Sequence, residues 1–418
     1  MNVNTMTATQ STGKGHSDVN FSAATEARQA LLSFGKDKIV DATLGVVKDE
    51  KAEFAVLPTV EKCYRNLPAN ELMDYAPISG LDDFLESAIA FTFQGHQPKG
   101  TSAAAIATPG GTGAIHHVIY NYVERGDKFL IPYLHWDPYT EMALEMGDIG
   151  ERYQMFTPQN EFTLADLKAK ATEILKTQKS LVTIFNTPAH NPSGYSMTNE
   201  DWKEALDFFR KCAEDESKKI IILWDMAYTD YAGEKDEVRE FLKYFDNMPQ
   251  NMLLLIAFSM SKSFLIYGMR SGALICVSPS PSVIEEFKAV NAFSNRATWS
   301  NGSRGAQKLL AMSMADENLR AAIDKEREYY RYLIKERAKI FLEEAKEVGL
   351  KTLPYKAGFF ITVPARDTIG LSKKLAAHKV YTIPLNGGLR FAISAVPTEK
   401  IAGLAKLTKQ EFSGHETE

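Results

Sequence analysis

Five short runs between residues 128 and 278 constrain this chain more than anything else in it. KFLIPY (128–133), SLVTIFN (180–186), KIIILWD (219–225), MLLLIAF (252–258) and GALICVS (272–278) are continuously apolar and β-rich. Continuous rather than alternating apolarity describes strands covered on both faces. Amphipathic segments lie between them. In TLADLKAKATEIL, Leu164, Leu167, Ala171, Ile174 and Leu175 share one helical face. In TNEDWKEALDFFRKCA, Thr198 is placed to cap a helix with Asp201 three residues on. Strands alternating with helices predict an α/β fold whose large sheet is mostly parallel and flanked by helices.

The pattern changes after residue 320. Residues 320–348 read as one long charged helix ending at Gly349, before strand-like runs in GFFITVPA and VYTIPLNGGLRFAIS. These predict a smaller α+β domain, with DATLGVVKDE (41–50) packing beside it. The expected division is a flexible N-terminal lead at 1–20, a large domain at 53–319, and a small domain built from 21–52 and 320–418.

A chain of 418 residues suits two such domains. Its formal charge of -5, with no long Lys/Arg block, gives no footprint for nucleic acid. Three widely spaced cysteines make neither a metal spacing nor a disulfide framework, and no metal site is expected. The absence of a run of about eighteen apolar residues argues against a membrane span. The polar first twenty residues lack the apolar stretch of a signal peptide. A cytoplasmic protein is expected.

In open α/β sheets, ligands sit beyond the carboxyl ends of the strands. The residues just past each apolar run are therefore the candidates for a site. LHWDPY comes after the first run and carries Trp136. TPAHNPSG comes after the second, with His190 and Asn191. Asp225 ends the third, with Tyr228 close behind. SMSKSFLIYGMRSG comes after the fourth, with Ser259, Ser261, Lys262 and Arg270. A lysine emerging where a core strand runs out needs a partner or a job. TPGGTGAIHHVI (108–119) adds Gly111 and Thr112 at the start of a helical pattern, a place where free N–H groups bind phosphate. A plain glycine turn opening a helix would read the same way.

A phosphate site, a strand-end lysine, a strand-end aspartate and an aromatic together describe pyridoxal phosphate. The lysine supplies a Schiff base, and the aspartate keeps the pyridine nitrogen protonated so that the ring withdraws electrons. Arg270 can neutralise phosphate and help lower the lysine pKa.

The ordered motifs LGVVKDE, YAPISGLDDF, TPGGTGA, HNPSG, DMAY, SMSKSFLIYGMRSG and GGLRFAIS resemble the class I aminotransferases, the aspartate and aromatic branch of pyridoxal-phosphate fold type I. The resemblance runs from about Asp41 to the C-terminal region. It implies that Lys262 is the catalytic Schiff-base lysine and later moves a proton. It implies that Asp225 partners the pyridine nitrogen, Tyr228 and Asn191 hold the phenolic oxygen, and Trp136 stacks on the ring. Gly111, Thr112, Ser259, Ser261 and Arg270 would surround the phosphate. Tyr75 matches a tyrosine that reaches the phosphate of a neighbouring subunit, which implies a homodimer with shared sites. Arg390 matches the arginine that grips the substrate α-carboxylate, and Gly45 a glycine whose backbone lies against the substrate, beside Trp136 and Asn191. Ser193 replaces the family's usual threonine. Arg296 falls where dicarboxylate-specific members place a second arginine from the partner subunit. Its flanks, Trp299, Gly302 and Arg304, depart from the pattern, and an interface salt bridge is the alternative.

The implied activity is a ping-pong transamination between an amino acid, aspartate, glutamate or aromatic, and a 2-oxo acid such as 2-oxoglutarate. A β-lyase or decarboxylase of the same fold is the alternative, since fold does not determine function. A cofactor-binding regulator would require an attached DNA-binding module, for which the lead is too short.

Overall fold

The computed structural model describes residues 6–12, 14 and 19–412. Its strands in chain order are β1 (Val40–Asp41), β2 (Ser102–Thr108), β3 (Lys128–Pro132), β4 (Ile149–Tyr153), β5 (Ser180–Asn186), β6 (Lys219–Asp225), β7 (Met252–Ser259), β8 (Gly272–Ser278), β9 (Phe360–Pro364), β10 (Val380–Tyr381), β11 (Ile383–Leu385) and β12 (Gly388–Ala392). Seven of them form one sheet in the order β2-β8-β7-β6-β5-β3-β4. β8 runs antiparallel to both β2 and β7, and the remaining pairs are parallel. All five apolar runs are strands of this sheet. β5, β7 and β8 are buried along their whole length, as strands covered on both faces must be.

The register of this sheet positions the site. Asn186 lies beside Asp225, and Asp225 beside Ala257, two residues before Ser259. Ser259 pairs with Gly272, and Gly272 with Thr108. Because β8 is antiparallel, its start comes to the edge where its neighbours end. That is how Arg270, which precedes a strand, reaches groups that lie past the ends of others.

The helices between strands form for local reasons legible in the sequence. In Ala165–Thr177, Leu167, Ala171 and Ile174 are buried, and Leu164 is buried just before it. Asn199–Cys212 opens on a reciprocal cap, with Thr198 and Asp201 each bonding the other's backbone N–H.

β11, β12 and β9 form a separate antiparallel sheet, and β1 pairs with β10. The N–H of Ala392 donates to the carbonyl of Ala42, which ties the chain after β1 to β12. The segment around residue 41 thus packs beside the smaller sheet, as expected. The long helix runs Glu317–Glu347, three residues earlier than the charge pattern suggested. The cause is Asp316, whose carboxylate caps the N–H groups of Asn318 and Leu319. Gly349, at φ +66°, ends it as expected. Arg337 on this helix is fully buried; it donates to the carbonyls of Lys48 and Ser394 and pairs with Glu50 at 2.9 Å.

Of the lead expected at 1–20, residues 1–5, 13 and 15–18 lie outside the described residues. Thr9–Ser11 form a 3-10 turn, Lys14 pairs with Glu145 at 2.8 Å, and a helix starts at Val19. No described helix is long and apolar enough to cross a membrane.

Candidate active site

The strand ends converge on a cavity of about 200 Å³ lined by Gly111, Thr112, Ile115, Trp136, Asn186, Asn191, Asp225, Ala227, Tyr228, Ser259, Ser261, Lys262, Tyr267 and Arg270. One wall is built for an anion. β2 ends at Thr108, and the Gly110–Tyr122 helix begins with its free N–H groups at the cavity. Gly110 has φ +68°, and a Cβ there would meet the Arg270 guanidinium at 2.9 Å. Arg270 donates to Ser261 Oγ at 3.1 Å and to Thr112 Oγ1 at 3.3 Å. It has no carboxylate within ion-pair distance among the described residues. A guanidinium, hydroxyls and a helix N-terminus with no resident counter-charge form a cradle for a phosphate.

Lys262 stands beside that cradle, on the short Met260–Ser263 helix at the end of β7. Ser259 caps this turn through its Oγ, which accepts the N–H of Ser261 at 3.2 Å. Lys262 Nζ donates to the carbonyl of Gly45 at 2.7 Å and lies 4.5 Å from the centre of the Tyr267 ring. Burial, then the charges of Arg270 and Arg390, push the Lys262 pKa down to about 7, against the pull of Asp225. Gly45 itself sits against Phe360, whose ring a Cβ would meet at 2.4 Å.

Asp225 also lines the cavity. Burial pushes its carboxyl up to about 6, opposed by bonds from Tyr139 and the Ala227 N–H and by the charge of Lys262. The Tyr139 hydroxyl donates to Asp225 Oδ2, and Ala227 N–H donates to Oδ1 at 3.2 Å. Asn186 donates to the Asp225 carbonyl and accepts the N–H of Asn191.

Arg390, buried on β12, brings the smaller sheet to the site. It donates to Asn191 Oδ1 and to the Thr43 carbonyl, both at 3.0 Å, and stacks on Phe360 with its guanidinium carbon 4.5 Å from the ring centre. His190 is fully buried, and its Nδ1 pairs with Ser193 Oγ at 2.8 Å. It does not line the cavity.

Two expected residues lie elsewhere. Tyr75 is 81% exposed, and Arg296 is exposed with its guanidinium on Ser300 Oγ. Neither lines this cavity. Asn186, Tyr267 and Tyr139 were not singled out from the sequence. For Asn186 the available signal was a polar residue closing an apolar run; Tyr139, inside LHWDPY, carried no comparable signal.

Known proteins resemble this chain to different depths. The family described as aminotransferase class I and II matches residues 39–406. Aspartate aminotransferase from Escherichia coli (strain K12) is 26% identical over 320 residues, which is 74% of this chain and 77% of that protein. Aspartate aminotransferase from Salmonella typhi is 24% identical over the same coverage. The crystal structure of an aminotransferase from Anaerococcus prevotii DSM 20548 superposes with a TM-score of 0.94 at 34% identity, covering 98% of this chain and 99% of that one. An aromatic-amino-acid aminotransferase from Burkholderia pseudomallei, covalently bound to pyridoxal phosphate, shares the fold at TM-score 0.76 and 18% identity, covering 93% and 96%.

Proposed function

The chain belongs to the class I and II aminotransferases, and we propose that it moves the amino group of aspartate, glutamate or an aromatic amino acid to a 2-oxo acid such as 2-oxoglutarate. It is a transaminase with pyridoxal 5′-phosphate as cofactor. The observation that carries the reading is the placing of a lysine of lowered pKa, a buried carboxylate and an unneutralised arginine on one cavity. Family membership favours transamination over the β-lyase or decarboxylase alternative.

The residues present fit that cofactor. Arg270, Ser259, Ser261, Thr112 and the backbone at Gly111 would hold the phosphate, and Trp136 would lie on the ring. Asn191 and Tyr228 would hold the phenolic oxygen. When bound, the cofactor supplies a carbonyl that condenses with amines and a ring that withdraws electrons from the substrate Cα. Asp225 holds a proton on the ring nitrogen by offering a carboxylate there. Lys262 Nζ, whose pKa is pushed down to about 7 by burial and by Arg270 and Arg390, is placed to take the proton from the substrate Cα. Arg390 orients the α-carboxylate through its two-pronged donor face, and the backbone of Gly45 lies against the substrate.

We read residues 53–319 as the large domain and 21–52 with 320–418 as the small one, which carries Arg390 to the site. A homodimer with shared sites accounts for Tyr75 and Arg296, which lie on the surface away from their own cavity. The exposed apolar residues Met73 and Phe293 support such an interface. Free cysteines at 63, 212 and 276 agree with a cytoplasmic location.

The test is to mix the loaded enzyme with single amino acids, without acceptor, and measure release of 2-oxo acid. One equivalent per site is expected from a reactive donor; lysis or decarboxylation products would contradict transamination. Truncating one partner of a buried charge pair costs about 2–5 kcal/mol. That is on the order of thirty- to several-thousand-fold in rate constant. Arg390→Ala should cost this for every donor, because every donor has an α-carboxylate. Arg296→Ala should cost it for aspartate and glutamate alone. An equal loss for all donors would make Arg296 structural.

A further inference from the structure

Both carboxylate oxygens of Asp225 are engaged, Oδ1 by the Ala227 N–H at 3.2 Å and Oδ2 by a side chain. Tyr139 lies past β3 on the Pro138–Met146 helix and is fully buried. Its hydroxyl donates to Asp225 Oδ2. The Tyr139 ring is held edge-on to Trp136, centroids 5.6 Å apart at 89°, and lies nearly parallel to His135 at 6.3 Å. His135 is itself fastened, to the Pro132 carbonyl at 2.9 Å and to Thr140 Oγ1 at 2.8 Å. The phenol therefore cannot swing away from the carboxylate without displacing the aromatic wall of the cavity.

We propose that Tyr139 is a positioning residue that keeps Asp225 ionised and oriented, and so sets how firmly this chain can hold a proton on the ring nitrogen of its cofactor. The consequence for the cofactor rests on the function proposed above; the coupling of Tyr139 to Asp225 does not.

A buried carboxylate is driven toward its neutral form by loss of solvation, and donors to its charged form drive it back. Three influences oppose burial here: the Tyr139 hydroxyl is the largest, then the Ala227 N–H and the charge of Lys262. Of the other groups facing this pair, Tyr228 lies near both Tyr139 and Asp225, and Tyr153 near Tyr139; Arg390 acts on Tyr228. The tyrosines are all buried and none supplies a second positive charge. Burial and the neighbouring carboxylate hold the Tyr139 hydroxyl well above its ordinary range, so it keeps its proton and acts as a donor. Asn186 acts on the backbone carbonyl of Asp225 rather than on the carboxylate.

Without the hydroxyl, Asp225 would lose its strongest donor and become neutral near pH 7. A neutral acid at that position offers no counter-charge to a protonated ring nitrogen, even though packing is unchanged. Packing alone, conversely, has no reason to move a carboxyl titration in proportion to the acidity of a phenol.

The experiment is a pH titration of Asp225 in the full chain without cofactor, read by ¹³C NMR of labelled aspartate, with Asp225→Asn identifying the signal. Tyr139→Phe removes only the hydroxyl and should raise the midpoint by about one to two pH units, the worth of a hydrogen bond to a charged group. Placing 3-fluorotyrosine at position 139, a more acidic donor of nearly the same shape, should lower it. The second replacement decides the question if the first does not fold. Midpoints unmoved by either change, or moved in the same direction by both, overturn the proposal. Loss of cofactor capture would bear on the proposed function and leave this titration as it is, so the two failures are distinguishable.

Discussion

At the scale of single residues, the site depends on charges held where water solvates them poorly. Lys262 shows this most directly. A lysine whose pKa is lowered to about 7 is largely free base above that pH and ammonium below it. Only the free base attacks a carbonyl. Capture of pyridoxal phosphate by the cofactor-free chain should therefore accelerate as pH rises through about 7, then level off. A rate still climbing toward the ordinary lysine range near 10 would show that Lys262 is not depressed. Asp225 acts in the opposite sense on the same amine, so the observed midpoint belongs to the pair. Lys262 was legible in the sequence because a core strand cannot end in a lysine without a reason. Tyr139 was not, because a buried tyrosine at helical spacing from Met142 and Ala143 looks like packing until Asp225 is placed beside it.

At the scale of elements, the close approach of β8 to the start of the Gly110–Tyr122 helix holds the anion cradle together. Gly272 makes this possible. A Cβ there would meet the Phe258 carbonyl oxygen at 2.3 Å and Gly110 Cα at 2.9 Å, both backbone atoms that cannot turn aside. Gly272→Ala should destabilise the protein by about 1–3 kcal/mol through overpacking. It should also weaken inorganic phosphate binding, because the helix start must move from Arg270. Denaturant unfolding and phosphate titration read the two effects; unchanged values in both would show that the approach is not tight. The five apolar runs were legible because burial on both faces leaves a continuous signal. β2 and β4 were not singled out. β2 is SAAAIAT, whose alanines favour helix in isolation and become a strand by pairing with β8. β4 is an edge strand with exposed Ile149 and Glu151 paired to lysines, so it lacks an apolar run altogether.

At the scale of the whole molecule, two sheets of different character meet at one cavity. The large sheet contributes Asp225, Lys262 and the anion cradle, and the smaller one Arg390. Arg337 fastens the long helix to both the segment before the large sheet and the turn that follows β12. The order of motifs along the chain made this architecture legible, since most of them lie at a strand end or on the smaller sheet. What the order could not convey is the antiparallel setting of β8, which is a property of pairing and brings Arg270 to the correct edge. If that edge serves to hold a carbonyl cofactor on Lys262, borohydride reduction of the loaded protein and peptide mapping will find it there. A pyridoxyl group is expected on the peptide containing Lys262 and on no other lysine; its appearance on a different lysine would contradict the assignment.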